Sequence, residues 1–186
     1  MKAKFLFLMI IFLVSGCCFG NRRPLLTYSP VLAPQPKNSI ALKITTFEDK
    51  RTIKDIVGSL RDVTSGFRFG KVIPQNSVTE WITNALKAEL TNAGYSISDQ
   101  ENIPNVIGGE VFGVFCDAGF TYDGSIGIKV MLKRNDKVVL EKQYSAKKSR
   151  VGNYAMTGRA FAKTLEMTLQ ETLKQAVSDI NKELLK

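Results

Sequence analysis

SIGIKVMLKRNDKVVLEKQYSA, residues 125–146, decides the fold class. Ile126, Ile128, Val130 and Leu132 alternate with Gly127, Lys129, Met131 and Lys133, the two-residue period of a strand with one buried face. Val138 to Ala146 reads as its partner strand. Between them Arg134-Asn135-Asp136-Lys137 is a hairpin turn. An antiparallel pair with one apolar face needs a second layer to bury that face, and the flanking sequence offers it.

On the C-terminal side, Asn153 to Lys186 places Phe161, Leu165, Leu169, Leu173, Ala176, Ile180 and Leu184 at helical spacing. On the N-terminal side, Val106 to Phe115 is an apolar, glycine-rich strand. Its Gly108-Gly109 pair signals a bulge or a close backbone approach. A further helix starts at the capping box Ser77-Val78-Thr79-Glu80 and carries the stripe Val78, Ile82, Ala85, Leu86, Leu90 and Ala93. Gly94 stands as its stop, and Tyr95 to Ser98 is a short return strand. Ser39 to Phe47 alternates Ile40, Leu42 and Ile44 with Ala41, Lys43 and Thr45. Thr52 to Pro74 lacks periodicity, carries Gly58, Gly66 and Gly70, and reads as a long loop. The expected fold is α+β: a mostly antiparallel sheet of four to five strands with two helices on one face, in a single domain over residues 39–186.

The first twenty residues, MKAKFLFLMIIFLVSGCCFG, have a different character. Lys2 and Lys4 precede an apolar run from Phe5 to Val14, which ends in Val14-Ser15-Gly16-Cys17. This is the plan of a secretory signal peptide, and its end resembles the lipobox of bacterial lipoproteins, Leu/Val-Ser/Ala-Gly/Ala-Cys. A spanning helix needs roughly 20 apolar residues, twice what this run supplies. The resemblance implies removal of residues 1–16, lipidation of Cys17 and anchoring through several acyl chains, since one chain binds membranes only marginally. Cys18 is the poorer acceptor, because it would put Ser15 where the pattern favours a bulky aliphatic residue. The absence of Asp after Cys17 points to the outer membrane, with the domain facing the periplasm. Residues 17–38 then form a lipidated tether. Pro24, Pro30, Pro34 and Pro36 keep it extended, while Leu25, Leu26, Tyr28, Val31 and Leu32 are apolar enough for part of it to pack along the domain edge.

The formal charge is +9, from 26 Lys and Arg against 17 Asp and Glu. Without the signal it is +7. Outside the cytoplasm a basic chain faces anionic lipids and acidic glycans rather than nucleic acid. Lys147, Lys148 and Arg150 are the one local cluster, a candidate anionic-surface contact or simply a solvated basic face. The chain has no histidine. That removes the usual general base and the nucleophile pairs built on it, and most zinc sites. Glu48, Asp49, Asp55 and Asp62 are interleaved with Lys50, Arg51, Lys54 and Arg61, as in a solvated loop. No catalytic residue, metal or cofactor is expected, and the chain does not read as an enzyme. Cys18 and Cys116 can pair in an oxidising compartment. Beside Phe115, Cys116 reads better as a free, small hydrophobe.

Asp49-Lys50-Arg51 closing the first strand, Val57-Gly58 after it, the capped helix to Leu90, the Gly94-Tyr95 return and the hairpin before a long last helix resemble the YajG family of bacterial lipoproteins. More broadly they resemble TolB-N-like and curli-secretion-type lipoprotein domains. The bottom-up role for Asp49 and Arg51 is a loop-fixing ion pair or turn cap, with a ligand contact as the alternative. Phe67 and Phe69 belong either to a loop ordered by a partner or to the domain's own core. The expected function is a non-enzymatic binding or scaffold role in the cell envelope. The alternative is an oligomeric subunit of an outer-membrane export or assembly machine.

Overall fold

The computed structural model describes residues 20–152 and 156–186. The signal segment, Cys17 and Cys18 lie outside the described residues. The elements in chain order are β1 (Ala41–Ile44), β2 (Glu48–Asp49), β3 (Gly58–Arg61), β4 (Arg68–Val72), α1 (Val78–Asn92), β5 (Ser96–Ile97), β6 (Asn105–Ala118), β7 (Thr121–Arg134), β8 (Lys137–Val151) and α2 (Gly158–Leu184).

Strand β6 is the axis of the sheet. One edge pairs antiparallel with β7 along its whole length, from Asn105 opposite Arg134 to Ala118 opposite Tyr122. The other edge receives three short strands in succession, all parallel: β1 at Val106, β2 at Glu110 and β3 at Cys116. Residues 41–61 are therefore one interrupted strand laid along β6. Beyond it, β5 pairs parallel with β1 and β4 antiparallel with β3, while β8 flanks β7. The sheet is mixed and has eight strands, which corrects the expected four to five mostly antiparallel ones. The omission lies in Thr52 to Pro74, read as a loop but holding β3 and β4. Strands of four and five residues are too short to show a period. Gly58 looked like a loop residue because it has no side chain; in the fold, a Cβ there would lie 2.2 Å from the Cys116 carbonyl oxygen. Its glycine marks a close strand contact.

The β7–β8 hairpin turns on Asn135 and Asp136, whose φ angles of 50° and 62° are the paired left-handed values of a tight hairpin turn. At the start of α1 the Ser77 hydroxyl accepts from the Glu80 amide at 3.3 Å, half of the expected capping box. Both helices lie on one sheet face, where Leu86, Leu90, Phe161, Leu165 and Leu169 bury against Ile107, Val111, Ile126, Ile128 and Val130. Helix α2 crosses β7 closely: a Cβ on Gly124 would sit 2.7 Å from the Thr168 hydroxyl. Thr164, Thr168 and Thr172 face this contact and are buried. Each donates its hydroxyl to the carbonyl one turn back, at 2.8–3.0 Å, so no polar group is left unpaired there. Under Phe47 the strand narrows at Gly109, where a Cβ would lie 2.8 Å from the ring. That is the close approach the Gly108-Gly109 pair signals.

Candidate functional site

Asp49 and Arg51 sit where the interrupted strand leaves β6 between β2 and β3. The Arg51 guanidinium donates to both Asp49 carboxylate oxygens at 2.9 and 2.8 Å, to the Ile56 carbonyl at 3.2 Å and to the Lys54 carbonyl at 2.7 Å. The Arg51 amide also donates to Asp49. Arg51 is buried at 6 % relative exposure. The pair thus ties loop 50–57 to the end of β2, and every guanidinium bond is made inside the chain. The hydrogen bonds from Arg51 hold the Asp49 carboxyl below its ordinary range.

Residues 22–38 form a strap across both helices rather than a free spacer. Leu26 is buried in the core. The Trp81 indole donates to the Thr27 carbonyl at 2.9 Å, and Gln170 and Asn92 donate to the Ser29 and Leu32 carbonyls. The clasp is Glu89, fully buried in α1. It accepts from the Tyr28 hydroxyl at 2.5 Å and from the Val31 and Leu32 amides at 2.8 and 3.1 Å. Glu166 of α2 accepts from the Ser29 amide and from Lys163. Burial, reinforced by Glu89, holds the Tyr28 hydroxyl protonated far above the ordinary phenol range. Sequence reading missed both carboxylates. The signal was available for Glu89: it stands three residues after Leu86 on the apolar stripe, and a carboxylate on a buried stripe requires a partner.

At one end of the sheet three connections meet: the β3–β4 loop, the β6–β7 turn and the end of β8. Phe67 and Phe120 are exposed at 69 % and 66 %, with Val63 and Val151 also exposed. Phe69 is half-buried and packs against the core, so the two predicted aromatics part ways. Between the loops lies a mainly apolar cavity of about 480 Å³, lined by Val63, Phe69, Phe120, Val151 and Met156. Asp62 holds the β3–β4 loop by accepting from the amides and hydroxyls of Thr64 and Ser65. Those bonds keep its carboxyl well below the usual range.

Lys147, Lys148 and Arg150 do not form one cluster. Alternation along β8 turns Lys148 and Arg150 to the helix side and Lys147 to the opposite face. Lys148 lies 3.2 Å from Glu171 of α2, and the Arg150 guanidinium stacks 5.6 Å over the Tyr122 ring. Among the described residues no three Cys, Asp or Glu side chains come together as metal ligands would. Cys116 is a free, fully buried thiol, pushed up to about 12 by burial and by the carboxylates of Asp123 and Asp117.

The open face of the sheet carries a second cavity of about 300 Å³ lined by Thr45, Glu48, Gly108, Glu110, Lys129 and Met131. The half-exposed Phe112 lies on Gly127 beside it.

Comparison with known proteins gives a family and a fold. The family described as uncharacterized lipoprotein matches residues 30–184. No curated protein sequence matches the chain. Among solved structures, a Xanthomonas campestris protein of the DUF330 family is similar at 13 % identity and a TM-score of 0.61, over 89 % of this chain and 98 % of that one. A hypothetical protein from Chlamydia trachomatis is similar at 9 % identity and a TM-score of 0.50, over 79 % and 99 %. These likenesses concern the fold.

Proposed function

Starting from the fact that this chain belongs to the bacterial lipoprotein family described as uncharacterized lipoprotein, we propose that it is a lipid-anchored, non-enzymatic scaffold of the cell envelope. Cys17 carries the lipid, and the domain faces the periplasm from the outer membrane. The finer kinship is with the YajG-like lipoproteins, on the motif from Asp49 to Arg51 and the order of the elements after it.

The observation that carries this reading is the placement of both helices on one sheet face. The opposite face keeps an open groove bordered by Glu48, Glu110 and Lys129, floored by Gly108 and flanked by the half-exposed Phe112. A groove of mixed charge with an apolar flank suits a protein partner of the envelope. A photo-crosslinking residue at Met131, expressed in intact cells, should give an adduct with an envelope protein. The same probe at Asn135, in the β7–β8 turn, should not. Absence of any adduct from the groove would remove the binding reading.

A second reading, self-assembly as a subunit of an export or assembly machine, rests on β8. This strand of 15 residues pairs with β7 alone among the described residues, so its outer backbone groups are available to another strand. Light scattering on the delipidated chain separates the two. A monomer at high concentration eliminates assembly through this edge.

A further inference from the structure

The end of the sheet bearing Phe67 and Phe120 is also the end at which the chain enters. Arg22 pairs parallel with Val72 of β4, and its amide donates to the Lys71 carbonyl at 2.8 Å. Because the pairing is parallel, Asn21 and Gly20 lie progressively toward the start of β4. Gly20 already lies against Gly70, where a Cβ would come within 3.1 Å of the Gly20 carbonyl oxygen. The start of β4 is the β3–β4 loop. Cys17 precedes Gly20 by three residues, a span whose full reach is about 10–11 Å.

Three features thus converge on one end of the molecule. The chain arrives there from its lipid attachment position. Phe67, Phe120, Val63 and Val151 are exposed there on three separate connections, and Val63, Phe120 and Val151 line the apolar cavity with Phe69. The exposed charges on the rim are cations, while Asp62, Asp117 and Asp123 are half-buried. Arg61 and Arg68 are largely exposed and lie 3.7 and 3.5 Å from Asp117, with Lys71 exposed further along β4. Asp117 is mostly shielded and bonded to Ser59, and Asp62 is occupied by its own loop. Apolar tips inside a basic rim match the two components of interfacial membrane binding, burial of apolar side chains below the headgroups and attraction to anionic lipid.

We propose that this end is a bilayer-docking surface: Phe67 and Phe120 insert at the lipid interface while Arg61, Arg68 and Lys71 meet the phosphates. The anchored domain would therefore stand on the membrane in one orientation, with the β7–β8 turn pointing away. The inference rests on lipidation at Cys17, as in the preceding section.

The test uses the mature lipidated chain in vesicles of phosphatidylethanolamine and phosphatidylglycerol. In a Cys18→Ser background, single variants Phe67→Cys, Phe120→Cys and Asp136→Cys are labelled with an environment-sensitive fluorophore. Position 136 lies at the far end of β7, roughly 45 Å away for fourteen residues of strand. Brominated acyl chains should quench the labels at 67 and 120 and leave 136 unaffected. Removing phosphatidylglycerol or raising the salt should reduce that quenching. Labels at 67 and 120 quenched no more than at 136 overturn the proposal. So does a blue shift at 67 that grows with protein concentration and needs no vesicles, because a second copy would then be the occupant. The mass of the mature chain is measured first. A chain without lipid at Cys17 refutes the anchored reading, and this inference falls with it; a lipidated chain with unquenched labels refutes this inference alone.

Discussion

Arg51 and Glu89 show how much of this fold depends on single charged side chains used as internal fasteners. Arg51 makes four guanidinium hydrogen bonds within residues 49–56. Arg51→Ala should lower unfolding stability by about 3 kcal/mol in urea titration, since it strands a carboxylate and two carbonyls. Arg51→Lys should restore only part of this, because an ammonium cannot replace a planar fork. The link to pH has a definite sign. Asp49 has its folded pKa depressed, so its contribution is present above the unfolded value of about 3.9 and is lost as pH falls through the folded one. Asp49→Asn should therefore make the stability curve flatter than wild type below about pH 4. A curve of unchanged steepness would show that other carboxylates govern acid unfolding. Glu89 fastens the strap. Glu89→Ala leaves one hydroxyl and two amides without their acceptor and should cost about 2–4 kcal/mol. Limited proteolysis should then cut within residues 25–35 while α1 and α2 stay intact.

Among the elements, the short strands take their conformation from β6 and not from their own sequence. β2 has two residues and β3 has four, too few to hold a strand without a longer neighbour. Gly58→Ala tests this dependence. The added methyl would meet the Cys116 carbonyl oxygen at 2.2 Å, and backbone cannot move aside as a side chain can. A loss of about 1–3 kcal/mol is expected, with amide exchange faster in β3 and β4 and unchanged in the β7–β8 hairpin. Uniform acceleration across the sheet would mean that β3 is integral to the cooperative core. The strap belongs to this scale too. A tether of prolines would carry no protected amides, whereas Val31 and Leu32 donate to a buried carboxylate and should exchange slowly.

For the molecule as a whole, Cys116 is a ready reporter. It lies in the central strand at 0 % exposure, and burial pushes its thiol up to about 12. Its alkylation at neutral pH should occur only through global opening, at a rate that rises with urea in step with the unfolding transition. Rapid modification of the native chain would place a low-energy opening at the β3–β6 seam. The whole molecule also has a polarity that no single element carries. Helices cover one face, a groove opens on the other, and the chain enters at the end where the apolar loops gather.

The sequence by itself determined the parts with a period or a cap: the β7–β8 hairpin, the two amphipathic helices, the helix start at Ser77 and the turn at Asn135-Asp136. Each is encoded locally, in side-chain alternation or in a residue that accepts an uncommon backbone angle. It also determined the pairing of residue types in the Asp49–Arg51 latch, whose partners are two residues apart. The tertiary structure decided the rest. β3 and β4 exist because β6 offers an edge, and the strap exists because Glu89 and Glu166 wait on helices 58 and 137 positions away. The split of Lys147 from Lys148 and Arg150 follows from the strand's pleat, and Phe67 and Phe69 separate because only one of them finds the core. Contacts between distant segments carry no periodic signature, so the sheet's true size and the meeting of three loops at one end could be read only from the folded chain.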